Sequence, residues 1–277
     1  AGRDNYQFYT SQLNDMVQHR MQIENSIPRA LEREEFILHY QPIIELATNK
    51  IVGLEALIRW QHPELGFIAP DQFIEIIENS HFVRPVTKWV LTTACQQLIA
   101  LEHLGFNDLS LAVNISGNYL IQENILKLVH HVLKENPVDP KKLHFEITER
   151  VLINNTEAAL NLLTALRKIG IEVAIDDFGT GYSSLSYLRL FPASTLKIDR
   201  AFISELHENA DEHSVALVDA IIAIANSMKL NIVAEGIETA YQAKFLKERG
   251  CQYAQGYYFS KPVPFEQFVE LLKKQTP

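Results

Sequence analysis

The sequence predicts an α/β fold: a (β/α)8 barrel of the TIM type preceded by an N-terminal helical extension. Eight strand-like segments alternate with amphipathic helices from Phe36 onward, over roughly the 250 residues that such a barrel occupies. Polar residues gather at the C-terminal ends of those segments, where barrels place their chemistry. An open doubly wound sheet is the alternative. No GxGxxG joins a first strand to a helix, which weakens its dinucleotide-binding form.

The elements follow in order. Ser11 to Leu31 carries apolar residues at Leu13, Met16, Val17, Ile23, Ile27 and Leu31, a helical spacing, with an interruption expected near Pro28. Strands are expected at Phe36–Glu45, Ile51–Trp60, Ser110–Ser116, Lys142–Ile147, Ile171–Asp176, Thr195–Asp199, Asn231–Ala234 and Gln252–Tyr257. Val86–Leu104 places Trp89, Val90, Cys95, Leu98 and Leu101 on a broad apolar face. Thr156–Ile169 uses Leu160, Leu163 and Leu166 and stops at Gly170. Val215–Leu230 is apolar nearly all round, which predicts packing on both sides. Thr239–Arg249 begins at a good N-cap and stops at Gly250.

The 277 residues carry 34 acidic and 25 basic side chains, a net charge of -9. That excludes a general electrostatic grip on nucleic acid or anionic lipid. An anionic substrate would need metal ions or a few placed basic groups. Cys95 and Cys251 lack CxxC partners, so neither a zinc site nor a disulfide framework follows. Two unpaired thiols, no run of about 18 uncharged apolar residues and no signal peptide at the start place this segment in the cytoplasm. The ten histidines form no HExxH-like cluster. Any metal must therefore take oxygen ligands, which suits Mg²⁺ or Mn²⁺ better than Zn²⁺.

The run Ile175-Asp176-Asp177-Phe178-Gly179-Thr180-Gly181 is the strongest local signal. Neighbouring strand residues point to opposite faces. The two carboxylates serve one site only if the strand ends at about Asp176 and the chain turns, and Phe-Gly-Thr-Gly supplies that turn. Adjacent carboxylates repel unless a cation neutralises them. A solvated turn explains the pair equally well in isolation.

Other strand ends bear on the choice. In Ile51–Trp60, period two puts Glu55 and Arg59 on the inner face, where Glu55 needs a cation. Arg59 is one candidate and a metal the other. Asn114, if buried, must be hydrogen-bonded or coordinating. Glu146 shares a face with Thr148, and Lys197 shares one with Asp199. Glu235 closes Ile232–Ala234, Gln255 closes the last strand, and Glu238 could simply favour a helix N-terminus. Glu55, Asn114, Glu146, Asp176, Asp177 and Glu235 together bring five carboxylates and one amide to a single mouth. One Lys and one Arg cannot balance that charge, whereas two divalent ions would.

These residues carry a family resemblance. Glu55-Ala56-Leu57 followed by Ile58-Arg59-Trp60 resembles the signature of the EAL-domain cyclic di-GMP phosphodiesterases. The likeness extends through Tyr40-Gln41-Pro42-Ile43, Val113-Asn114-Ile115-Ser116, Phe145-Glu146-Ile147-Thr148-Glu149, Asp176 to Gly181, Leu196 to Arg200, Val233 to Thr239 and Gln255-Gly256-Tyr257, from about Ile27 to the end. The resemblance implies a barrel whose first strand is antiparallel. It implies hydrolysis of cyclic di-GMP to linear pGpG with two Mg²⁺ or Mn²⁺ ions. Glu55, Asn114, Glu146 and Asp176 would ligate the first ion, and Asp176 and Asp177 the second. Lys197 would orient the nucleophilic water. Glu235 would act as general base or join the second ion. Arg59 would bind phosphate, with Gln41, Leu57, Asp199, Glu238 and Gln255 completing the substrate shell. Glu149 would anchor the loop from Asp177 to Leu185. His81, Arg150 and Ala201 depart from the family pattern at peripheral positions.

Residues 1–10 resemble the last strand of a GGDEF domain of the diguanylate cyclase type. Residues 11–31 would then be a helical linker and residues 32–277 the EAL domain of a longer native chain, which could itself be membrane-anchored. The resemblance also implies a homodimer formed near the Asp177–Leu185 loop. A non-hydrolytic cyclic di-GMP receptor using the same pocket is the rival function. Its mark is a lost metal ligand, and every ligand position is filled.

Overall fold

The computed structural model describes residues 11–117, 119, 125–154, 156–180, 189–208 and 210–275. The expected GGDEF tail, the side chains of Leu13 and Met16, and residues 181–185 of the expected loop lie outside them. The chain divides into two compact units, the described residues within Ala1–Ile37 with Ile58–Val86, and those within Leu38–Leu57 with Thr87–Pro277.

The first unit contains helix α1 (Ser11–Glu32), strand β3 (Gly66–Ile68) and helix α2 (Pro70–Glu78), with one end each of β1 (Phe36–Glu45) and β2 (Lys50–His62). β3 is absent from the sequence reading. It is only three residues long and pairs antiparallel with Trp60–His62, too short a run for periodicity to register. α1 continues through Pro28, against the expected break. Proline removes one helical hydrogen bond, but Ile23, Ile27 and Ala30 on either side of it are fully buried, and packing of an apolar face outweighs one missing bond. The core here is Phe36, Trp60 and Phe73, with Trp60 5.0 Å from Phe36 and 5.5 Å from Phe73 between ring centroids. The buried indole donates to Glu35 Oε2 at 3.0 Å, satisfying a polar group that burial would otherwise penalise.

The second unit is built on a closed sheet of eight strands in the order β1-β9-β8-β7-β6-β5-β4-β2, with β2 pairing back to β1. The strands are β4 (Ser110–Asn114), β5 (Leu143–Thr148), β6 (Glu172–Phe178), β7 (Thr195–Ile198), β8 (Asn231–Ala234) and β9 (Tyr253–Ala254), with β1 and β2. Ile44 of β1 pairs antiparallel with Ala254 of β9. The pairs from β2 through β4 to β9 are all parallel. The antiparallel first strand thus agrees with expectation, and so does the barrel.

Helices return the chain between the parallel strands: α3 (Val83–His103), α4 (Ile125–Glu135), α5 (Glu149–Asn154), α6 (Thr156–Ile169), α7 (Arg200–Ser204), α8 (Glu212–Ser227), α9 (Ala240–Glu248) and α10 (Phe265–Gln275). α6 has the expected bounds. α9 starts at a Thr239 capping box in which Gln242 answers the cap, satisfying two otherwise orphaned N–H groups. α8 is buried on one side only: Val218, Ile221, Ile222 and Ala225 face the core while Leu217 is exposed. Ala216, Ala220 and Ala223 are exposed beside it, and alanine reads as apolar yet loses little in water.

Two strand boundaries correct the sequence reading. β6 continues to Phe178 but bulges between Ile175 and Phe178 in its pairing with β7, and Asp177 takes φ +54°. A bulge re-aims side chains without ending a strand. β9 is only Tyr253–Ala254, which leaves Gln255 just beyond its end.

Candidate active site

Each parallel strand of the second unit delivers a polar group to the site, from mid-strand for Glu55 on β2 and at or near the C-terminal end for the others. Alternation explains why. On β7, Leu196 and Ile198 are fully buried on one face, which turns Lys197 toward the other. On β5, Phe145 and Ile147 do the same for Glu146. Parallel register sets the levels: Glu55 pairs with Ala112, Asn114 with Glu146, and Thr148 with Asp176.

Lys197 is the centre of the cluster. Its side chain is 1% exposed. Its ammonium lies 2.5 Å from Glu146 Oε2, 2.5 Å from Glu235 Oε1, 3.4 Å from Asp176 Oδ1 and 3.8 Å from Glu55 Oε2. Glu55 also accepts from Asn114 Nδ2 and from Gln255 Nε2, both at 2.6 Å. Gln255 Nε2 reaches Glu235 Oε1 at 3.3 Å as well. Asn114 is solvent-exposed, contrary to the buried position assumed for it, yet its amide still meets Glu55.

The electrostatics are lopsided. Burial opposes the charge of Lys197, but Glu146, Glu235, Glu55 and Asp176 outweigh it and hold the ammonium protonated. Burial works against ionised Glu55 too, but Lys197 and the bonds from Gln255 and Asn114 prevail and keep it below the usual carboxylate range. Glu146 goes the other way: burial and the neighbouring Glu55 charge push it well up, despite Lys197. Burial raises Glu235 to about 8, even with Lys197 against it. Asp177 rises to about 6 through burial and the charges of Asp176 and Asp199. One ammonium among four carboxylates leaves three negative charges uncompensated if all ionise, and a buried charge without a partner is costly.

The remaining predicted site residues divide into near and far. Asp177 sits beside Asp176, whose Oδ1 accepts the Asp177 N–H at 2.9 Å. Asp199 caps α7, accepting from Ala201 N at 2.8 Å, and approaches Asp177. Buried Glu149 accepts from Gly179 N at 3.2 Å. Leu57 is half-buried on β2. Gln41 donates to the Ser260 carbonyl at 3.1 Å. Glu238 is exposed, and its N–H is taken by Gln242 Oε1. Arg59 belongs to the first unit, where Nη1 donates to the Ile58 carbonyl at 2.9 Å. Within the second unit, the cation that meets Glu55 is Lys197. The alternation of β7 was the available signal, since a Lys between two core aliphatics must point inward.

The donors fit a hard divalent cation in kind. They are carboxylates with one amide, the ligand type of Mg²⁺ and Mn²⁺. The raised carboxyls report too little positive charge, and the buried Gln255 Oε1 has no hydrogen-bond partner among the described residues. Spacing is another matter. Among the described residues no three His, Cys, Asp or Glu side chains stand at metal-ligating distance from a common point, because the Lys197 ammonium takes the point of convergence.

The chain was compared with known proteins. The family model "EAL domain" matches residues 24–262. From Pseudomonas aeruginosa, the bifunctional diguanylate cyclase/cyclic di-GMP phosphodiesterase MucR is 39% identical over 268 residues, 97% of this chain and 39% of that protein. The cyclic di-GMP phosphodiesterase NbdA of the same organism is 40% identical over 273 residues, 99% of this chain and 35% of that protein. A solved structure of the PaMucR phosphodiesterase in complex with c-di-GMP superposes with a TM-score of 0.85 at 40% identity, covering 89% of this chain and 99% of that one. The chain spans well under half the length of these two curated relatives. With the barrel, its antiparallel first strand and the strand-end carboxylates on hand, the chain belongs to the EAL-domain family.

Proposed function

We propose that this chain hydrolyses cyclic di-GMP to linear pGpG with the help of two Mg²⁺ or Mn²⁺ ions. The observation that carries the reading is the Lys197 cluster, four carboxylates around one ammonium at the strand ends of a barrel. The likeness to proteins named as cyclic di-GMP phosphodiesterases supplies the substrate. Glu55, Asn114, Glu146 and Asp176 would hold the first ion, Asp176 and Asp177 the second. Bound there, the ions would supply the charge that activates water and neutralises the phosphoryl oxygens.

The protein's own groups do the rest. Lys197 donates to the attacking water and fixes its line of approach. Glu235, with a pKa near 8, accepts its proton close to neutral pH, or joins the second ion. Glu149, through Gly179 N, braces the turn that carries Asp177. Gln41, Leu57, Asp199, Glu238 and Gln255 form the substrate shell. The phosphate-binding role of Arg59 rests on its motif alone. The full protein would be longer, with a GGDEF domain ahead of this segment, an arrangement in keeping with the length and the bifunctional name of MucR.

A second reading draws on the same cluster. If Lys197 keeps the point of convergence, the pocket would bind cyclic di-GMP without cleaving it. One assay separates the two: incubation with cyclic di-GMP and Mg²⁺ or Mn²⁺, with pGpG resolved by chromatography. Hydrolysis predicts pGpG from the wild-type chain and at least about 100-fold less from Glu55→Ala, which loses a ligand outright. Binding without product selects the receptor. Near-normal pGpG from Glu55→Ala refutes the ligand assignment.

A further inference from the structure

The interior of an eight-stranded parallel barrel is ordinarily filled by layers of bulky side chains. Here it is hollow below the Lys197 cluster. A cavity of about 330 Å³ lies within the second unit, roofed by Glu146 and Lys197. The layer that should fill it is small: Ala112 on β4 and Ala174 on β6 line the space, and β2 contributes Gly53 at this level, in register with Ser110.

The floor is polar and has bonding capacity to spare. Thr195 is nine-tenths buried and faces the cavity with Ser110, Asn231 and Tyr253. Among the described residues, the side chains of these four make no hydrogen bond to protein. Two carboxylates, Asp108 and Glu172, also line the cavity. Glu172 is half exposed and lies 3.7 Å from His144 Nε2. The one lysine in the lining is already committed to Glu146 and Glu235. An anion would meet two carboxylates at this floor. A cation would meet those carboxylates with hydroxyl and amide acceptors beside them.

We propose that this hollow binds a small organic cation, an ammonium on a short aliphatic body, admitted from the N-terminal end of the barrel. The ammonium sits at the Glu172 and Asp108 floor, and the aliphatic body lies among Ile43, Val52 and Val233. Floor and roof are two residues apart on β5 and β7, a height of about 6–7 Å at the rise of a strand, which suits a body of about four carbons. The site is distinct from the strand-end cluster: Glu172 precedes Asp176 on β6 by four residues, about 13 Å of strand. An occupant touches Glu146 and Lys197 from beneath, opposite to the mouth.

The test uses n-butylamine as the probe and isothermal titration calorimetry on the whole chain. Saturable binding to the wild type is expected, with 1-butanol at least tenfold weaker. Glu172→Gln, at a half-exposed position, should weaken n-butylamine at least tenfold, and Ala174→Leu should abolish binding by filling the space. Absence of saturable binding overturns the proposal and leaves the hollow to water. So does equal affinity for 1-butanol, or binding undiminished in Glu172→Gln, which would place the amine at the strand-end cluster instead.

Discussion

Replacing Lys197 by alanine removes a cation that touches four carboxylates at once, at 2.5, 2.5, 3.4 and 3.8 Å. Two of those contacts are charge-assisted hydrogen bonds, worth about 1.5–3 kcal/mol each. Breaking a buried ion pair costs about 3–5 kcal/mol by a separate route, because the partner charge stays buried. The two routes agree on about 4 kcal/mol. Unfolding entropy of about 2.1 cal/mol/K per residue over this chain turns that into a melting temperature lower by about 7 °C.

The pH dependence has a definite sign. Lys197 stabilises ionised carboxylates, so its removal hurts most where they must ionise. Glu235 titrates near 8 and Glu146 well above the usual range. The deficit should be larger near pH 8, where Glu235 is partly ionised, than near pH 5.5, where Glu235 stays protonated in the folded protein. The assay is calorimetric melting of wild type and Lys197→Ala in EDTA at the two pH values. A deficit below about 1 °C near pH 8, or one that grows toward acid, refutes the account of Lys197 as the neutralising cation. Manganese should narrow the gap, since it brings the missing positive charge.

Four further outcomes are expected. In EDTA the wild-type protein should lose stability as pH rises from about 4.5 through 8, because the folded state binds more protons at Glu235 than the unfolded chain does. The melting shift produced by Mn²⁺ should therefore be larger near pH 8 than near pH 6, since ligands must lose protons to bind, and a larger shift in acid would contradict the proposed ligand set. Gly256→Ala would place a Cβ 2.2 Å from the backbone N and O of Ile237. It should cost about 2–3 kcal/mol in denaturant unfolding and loosen neighbouring Gln255. Glu35→Leu strands the buried Trp60 N–H and should cost about 1–3 kcal/mol, whereas Glu35→Gln keeps an acceptor and should cost less, a comparison that chemical denaturation reads directly.

The sequence by itself determined the order of the eight barrel strands and the inward face of those that carry Glu146 and Lys197. Both are local: period-two alternation around Glu146 and Lys197 depends on no distant residue. It also determined which polar groups stand at strand ends, and family membership followed from their motifs. Tertiary structure decided what meets what. Arg59 and a metal were the candidate partners for Glu55 in the sequence, and the closure of the barrel brought Lys197, 142 positions away, to within 3.8 Å. Packing of Ile23 and Ile27 carried α1 through Pro28, and a bulge rather than a strand end re-aimed Asp177. The hollow beneath the cluster was invisible in any single segment. Ala112 and Ala174 are ordinary strand residues until the sheet closes and leaves their small side chains, on either side of β5, lining one space, because volume is a property of the whole ring of strands.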